Sequence, residues 1–139
     1  MFVILISALF SCDDQMESQE ISIIDFTIDI PANWTLEEVQ GYDSYVKKIV
    51  IDEKEVIDLE LGWYSTNLIV DNSSHEIIYK LIDNREAKIA KPKNFQKGIT
   101  GVYFDNRDSQ KAKLLMSSTD LTRAHQWLFL QAIETIKFN

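Results

Sequence analysis

The sequence predicts an α+β domain: a mostly antiparallel sheet of about six or seven strands packed by a C-terminal helix, with minor helical segments. Three observations carry this. Several stretches alternate apolar and polar residues with a period of two, clusters of Asp, Asn and Lys separate those stretches, and residues 121–136 space their apolar side chains as a helix does.

The clearest strand sets Ile24, Phe26, Ile28 and Ile30 against Asp25, Thr27 and Asp29, one row inward and the other toward water. Pro31 ends it, because proline has no N–H to give to a ladder. Trp34 follows as a plug for the core edge, and Thr35-Leu36-Glu37-Glu38-Val39 reads as a short helical turn closed by Gly41. Tyr45 to Tyr64 reads as a long hairpin. Ile49, Val50 and Ile51 run into the polar turn Asp52-Glu53-Lys54-Glu55. The return arm then sets Ile57, Leu59, Leu61 and Trp63 on one face against Asp58, Glu60 and Tyr64 on the other. A slip of one residue would bury the carboxylates, so the register is well specified.

Ser65 to His75 is less regular, and a second hairpin follows with arms Glu76 to Ile82 and Glu86 to Ala90 about the turn Asp83-Asn84-Arg85. Lys91-Pro92-Lys93-Asn94 breaks the pattern. Ile99 to Phe104 is the next strand, Asp105 to Gln110 a polar turn, and Lys113-Leu114-Leu115-Met116 the last long strand. Ser117 to Asp120 supplies N-cap candidates for the terminal helix. On that helix Leu121, Ala124, Leu128, Phe129, Ala132, Ile133 and Ile136 form the sheet-facing arc, and His125 falls within it. Trp127 and Leu130 lie on the other side. They are expected either to be covered by the loop around Trp34 or by residues 65–75, or to form a patch for a partner.

Ahead of all this lies an uncharged apolar run, Phe2 to Phe10, too short to span a bilayer as a helix and matching the apolar region of a secretory leader. The only cysteine of the chain, Cys12, stands where that run meets Asp13-Asp14-Gln15-Met16-Glu17-Ser18-Gln19-Glu20. The alternative to a leader is an ordinary apolar first strand with a core cysteine. The polar run reads as a solvated tether, since it carries too little apolar surface to offset the ordering of its chain. The expected organisation is therefore a signal peptide over 1–11, a flexible tether over 12–20 and a single domain over 21–139.

Leu9-Phe10-Ser11-Cys12 resembles the lipobox of bacterial lipoproteins, although Phe10 is large for its place and no Lys or Arg precedes the apolar run. The last point leaves open a translation start upstream of Met1. The resemblance implies that Cys12 becomes the first mature residue, with diacylglycerol on its sulfur and a further acyl chain on its amine, enough for stable anchoring. It implies a cell-envelope location on the extracytoplasmic side, with inner or outer membrane unresolved. Once Cys12 is acylated, no thiol remains for a disulfide or for cysteine chemistry.

The strand ending in Ile30-Pro31-Ala32-Asn33-Trp34, the segment Gly41-Tyr42-Asp43-Ser44-Tyr45 with its hairpin, and a helix running into Ile133-Glu134-Thr135-Ile136-Lys137-Phe138 together resemble the PsbP-like α+β domains and small lipoproteins of that outline. That resemblance implies an antiparallel sheet flanked by helices, and action by binding or assembly rather than by catalysis. It carries fold better than function.

A net charge of −8 without a basic cluster argues against nucleic acid as a partner. There is no Gly-rich phosphate loop, Gly-x-Ser-x-Gly elbow or His-Glu-x-x-His pair, and no cofactor is expected. His75 reads as a solvated loop residue rather than a triad member beside Ser74 and Asp71, and His125 as a partly buried histidine bonded to a backbone carbonyl. Asp58 and Glu60 form the best local acid pair, explained by a solvent-facing strand without invoking a glycosidase-type site. Asp105-Asn106-Arg107-Asp108-Ser109 lacks the glycine and late glutamate of a calcium loop, so no metal is expected.

The surface expected to hold a site gathers Tyr42, Asp43, Tyr45, Trp63 and Tyr64 at one end of the first hairpin, an aromatic patch with one acid suited to a peptide or sugar ring. The competing explanation is an aromatic-capped sheet edge. The expected function is a membrane-anchored extracytoplasmic domain that binds a protein or small ligand non-covalently. Two alternatives stand beside it. One is a small envelope hydrolase using Asp43, Asp58 or Glu60 with His75 or His125. The other is an acidic immunity-type protein that blocks a basic toxin.

Overall fold

A computed structural model describes residues 17–39, 45–63, 65–106 and 111–139. Ten strands and one helix follow in the order β1 (Ser18–Ile23), β2 (Phe26–Pro31), β3 (Thr35–Glu38), β4 (Tyr45–Val50), β5 (Val56–Gly62), β6 (His75–Ile82), β7 (Arg85–Pro92), β8 (Ile99–Phe104), β9 (Lys113–Thr119), α1 (Arg123–Ile133) and β10 (Lys137–Phe138). They form a seven-stranded sheet of order β3-β4-β5-β9-β8-β7-β6 and a three-stranded sheet of order β1-β2-β10. Every strand pair is antiparallel. The mostly antiparallel α+β class is therefore as expected. The minor helical segments are not, since α1 is the only helix among the described residues.

The alternation read from the sequence decides the layers. Phe26, Ile28 and Ile30 of β2 are buried, as are Ile57, Leu59 and Leu61 of β5 and Leu114 and Met116 of β9. These rows meet Phe129, Ala132 and Ile133 of α1 in one core between the large sheet, the small sheet and the helix. Gln126 rather than Ala124 completes the buried face of α1. On the opposite, outer face, residues 65–70 cross the sheet instead of covering α1. Leu68 packs on Ala90 and Tyr103, and the Lys88 ammonium donates to its carbonyl at 2.6 Å.

Several local expectations are corrected. Ile24 sits in the β1–β2 turn, 67% exposed, and β1 begins at Ser18, inside the segment expected to be tether. Gln19 is held there by its side-chain N–H donating to the Trp34 carbonyl at 2.8 Å. Thr35–Glu38 is strand, not helical turn, because β4 offers it a partner in which Glu37 and Glu38 face Lys48 and Lys47. Cross-strand charge pairs of this kind outweigh the weak helical preference of Leu and Glu. Strand β7 continues through Pro92, where the Ala90–Gly101 pair has already ended the ladder to β8 and no N–H is needed. The cap of α1 is Thr122, whose hydroxyl accepts from the His125 N–H. Ser117 and Ser118 belong to β9, and Asp120 adopts φ 58°.

Arg85, expected in a turn, opens β7 as a buried side chain. It donates to the carbonyls of Asp105 (2.9 Å) and Ala112 (3.2 Å) and lies over the Phe138 ring at 4.2 Å. Burial pushes its guanidinium pKa down, against the attraction of Asp105 and Asp25.

Candidate functional site

At one end of the large sheet β5, β8 and β6 begin while β4, β9 and β7 end, so the 51–55 turn, the start of α1, Gly98, Asp120 and His75 all collect there. The first polar constellation is Asp52, Glu55 and His125. Asp52 Oδ1 accepts from the Lys54 and Glu55 N–H groups, both at 2.8 Å, which shapes the turn and carries Glu55 toward the helix. Those bonds, Lys54 first, hold the Asp52 carboxyl below the usual carboxylate range, with the nearby His125 adding to them. Glu55 is buried. One of its oxygens accepts from the Thr122 N–H at 2.5 Å, and the other pairs with His125 Nδ1. The His125 ring in turn stands edge-on to the buried Trp34, 6.4 Å between centroids.

His125 thus bonds a carboxylate seventy residues away in the chain, not the backbone carbonyl expected of it. Asp52, Glu55 and His125 offer three ligand atoms within 4.8 Å of one another, the one such group among the described residues. Both Glu55 oxygens are already engaged, so a cation would have to replace the proton shared with His125. As it stands the arrangement is a clamp. It satisfies one of the free amides at the helix start and places a negative charge at the positive end of the helix dipole.

His75 is likewise committed. It opens β6 rather than lying in a solvated loop, and its Nε2 accepts from the Ile99 N–H at 3.0 Å, beyond the last β7–β8 pair. That fixes the neutral tautomer with the proton on Nδ1, which lies 2.8 Å from Ser74 Oγ and 3.2 Å from the Asp71 carbonyl. Gly98, at φ 134°, leaves room for the ring, and a Cβ there would sit 2.6 Å from Nε2. The Gly98 N–H is taken by Asp120 Oδ1 at 2.7 Å.

Neither expected acid reaches a histidine through a described hydrogen bond. Asp58 is exposed on the outer face of β5 between Lys48 and Ser117, and Glu60 is half-buried between Val46 and Leu115.

Of the expected aromatic patch, Tyr42, Asp43 and Tyr64 lie outside the described residues, as does Cys12. Trp63 is 56% exposed at the far end of the hairpin. Tyr45 stands opposite Leu61 with the Lys47 ammonium 4.7 Å from its ring centroid. The hydrogen bond to Tyr45, with a smaller contribution from Glu38, raises the Lys47 pKa against the opposing effect of burial.

The surface that sequence reasoning passed over is the β6 edge. Strand β6 pairs only with β7 and closes one side of the sheet with eight residues, whereas the opposite edge, β3, has four. Ile78, Tyr79 and Leu81 are 47%, 62% and 70% exposed, so one strand holds three of the eight exposed large hydrophobics among the described residues. Ile78 continues into a groove between β6, β7 and α1, about 210 Å³ in volume, lined by Glu76, Ile89, Lys91, Leu130 and Glu134. Trp127, 61% exposed, lies a turn from Leu130 on the same helix; Leu130 is half-buried against the core, so the expected cover is not over Trp127. Lysines and acids interleave across this region, with Lys80 on Glu134 at 2.6 Å and Lys91 on Glu76 at 3.5 Å. The signal for this edge was present in the run Ile77-Ile78-Tyr79, where apolar residues occupy both faces of a strand.

Among the described residues no helix is long and apolar enough to cross a membrane. Comparison with protein-family models, curated proteins and solved structures finds no match.

Proposed function

We propose that the chain is a lipid-anchored, extracytoplasmic domain of PsbP-like outline that works by non-covalent binding or assembly. The observation that carries binding is the outer edge of β6, eight residues with no strand beside them, where Ile78, Tyr79 and Leu81 are open to solvent. Such an edge is a template for another strand. The polar constellations support the same reading, because His75 and the Glu55–His125 pair both hold loops and the helix in place. The apolar run Phe2 to Phe10 followed by Cys12 supports the anchor.

The test of the anchor is intact-mass analysis of the membrane fraction from cells making the wild type and Cys12→Ser. A diacylated chain beginning at Cys12, lost in the variant, is the expected result. An uncleaved, unmodified chain in the cytosol overturns the anchor and returns residues 1–11 to the fold. The binding reading is tested separately, by placing a photo-crosslinking residue at Tyr79 in intact cells. Protein adducts at position 79 are expected, and their absence across growth conditions contradicts binding through this edge.

A further inference from the structure

The geometry points to a second copy of this chain as the occupant of the β6 edge, paired antiparallel with β6 of its partner about a two-fold axis at Ile78. This rests on the reading of the domain as a binding module. Three observations fix the occupant and the register.

The first is which backbone groups are free. Asp83 and Asn84 form a two-residue turn with φ 47° and 65°, the left-handed values of a type I′ hairpin. Ile82 and Arg85 are then a hydrogen-bonded pair, and by alternation Lys80, Ile78 and Glu76 also bond to β7. The N–H and C=O groups of Ile77, Tyr79 and Leu81 therefore point away from the sheet. The same alternation aims the His75 N–H outward, and the Asp71 carbonyl takes it up at 3.0 Å.

The second is self-complementarity. An antiparallel partner must hydrogen-bond through outward residues, so the axis passes through a residue of β6, and Ile78 and Tyr79 are the two positions that centre the overlap on the eight-residue strand. About Ile78, Ile77 exchanges bonds with Tyr79 of the other copy, Ile78 meets its own equivalent in a close, non-hydrogen-bonded pair, and the Leu81 N–H faces the carbonyl of His75, whose own N–H stays with Asp71. Glu76 then lies opposite Lys80 twice over. About Tyr79, by contrast, Ile78 would face Lys80 and Glu76 would face Ile82. Opposite charges thus select Ile78, and a two-fold operator satisfies both pairs at once.

The third is what the pairing covers. Glu76, Ile78 and Lys80 share the face that carries α1, as the Lys80–Glu134 bond and the groove beside Leu130 show. The axis stands perpendicular to the sheet, so both helices lie on one face and the two grooves adjoin across it. The exposed Ile78 side chains become mutually buried there, while Tyr79 covers Ile77 on the outer face. Lys91 and Glu134, the present partners of Glu76 and Lys80, stay within reach and leave a four-charge cluster on each side of the axis.

The test uses the full chain with Cys12→Ser, so that an introduced cysteine is the only thiol. Under mild oxidation Ile78→Cys is expected to give a covalent dimer, because a close antiparallel pair sets its Cα atoms about 4.5 Å apart, within disulfide reach. Tyr79→Cys is expected to give little, being offset by two residues from its equivalent. Dimer from Tyr79→Cys without dimer from Ile78→Cys overturns the register. No dimer from either overturns self-pairing. In that event an adduct between position 79 and a different protein in cells leaves the binding reading standing, and no adduct removes both.

A charge exchange gives the second measurement, by sedimentation of the chain with its native Ile78. Glu76→Lys and Lys80→Glu are each expected to weaken dimerisation about tenfold, and the double variant to recover most of the loss. The exchange restores only the pair between copies, since Lys91 and Glu134 are left unmatched. A double variant no better than the worse single one contradicts the pairing.

Discussion

Replacing Glu55 by alanine removes the carboxylate that joins the β4–β5 turn to the start of α1. One oxygen accepts from the Thr122 N–H and the other from His125, and the residue is 8% exposed, so water does not replace either bond freely. Hydrogen bonds to a charged group contribute about 1.5–3 kcal/mol each. An anion at a helix N-terminus adds about 0.3–1 kcal/mol. Allowing for partial relaxation around half-buried His125, the expected loss is about 3–4 kcal/mol, a large share of the roughly 5–15 kcal/mol that holds a domain of this size together. Glu55→Gln keeps the shape and the bond from Thr122 and loses the charge, so about 1–2 kcal/mol is expected. The assay is equilibrium urea unfolding followed by tryptophan fluorescence, to which Trp34 reports directly because it stands edge-on to the His125 ring. A shift of less than about 0.5 kcal/mol for Glu55→Ala, the size of an ordinary surface substitution, refutes the clamp.

Gly98→Ala puts a Cβ 2.6 Å from His75 Nε2 on backbone at φ 134°. The strain and the lost Ile99–His75 bond together are expected to cost about 2–4 kcal/mol by the same unfolding assay, against about 1–2 kcal/mol for His75→Ala alone. Leu68→Ala empties the plug on the outer face between Ala90 and Tyr103 and is expected to cost about 2–4 kcal/mol. For Asp52, whose carboxyl is held below the ordinary range by the Lys54 and Glu55 N–H groups, the folded state binds its proton later than the unfolded chain. Its contribution is therefore fully present above the unfolded carboxylate range and is lost as pH falls through the lower folded value. Unfolding midpoints measured from about pH 5 down to about pH 2 are expected to fall less steeply for Asp52→Asn than for the wild type. Equal slopes contradict it.

The elements that were legible in the sequence are those whose partners are local. The β4–β5 hairpin could be read because Asp52-Glu53-Lys54-Glu55 interrupts two alternating arms, and β6–β7 because Asp83-Asn84 suits a tight turn. What escaped was decided at a distance. Strand β3 owes its conformation to Lys47 and Lys48 across the ladder, and β10 is a two-residue strand that exists because β2 has a free side. Nothing in Thr35–Glu38 or Lys137–Phe138 by itself marks either as strand. The Glu55–His125 clamp unites a hairpin turn with a helix start seventy positions later, and no spacing rule connects them. The outward turn of Trp127 was half legible. Its place off the apolar arc could be read, but its exposure depended on residues 65–70 crossing the other face of the sheet.

The measurement that bears most directly on the account is residue-resolved hydrogen exchange along β6 in the full chain across a range of concentrations. Self-pairing predicts that the Ile77, Tyr79 and Leu81 amides gain protection together as concentration rises, while Ile78 and Lys80, already bonded to β7, change little. An alternating pattern of that kind is the signature of a second strand on the open edge. Amides at 77, 79 and 81 that exchange at solvent-exposed rates at every concentration would show the edge unoccupied and contradict assembly through β6.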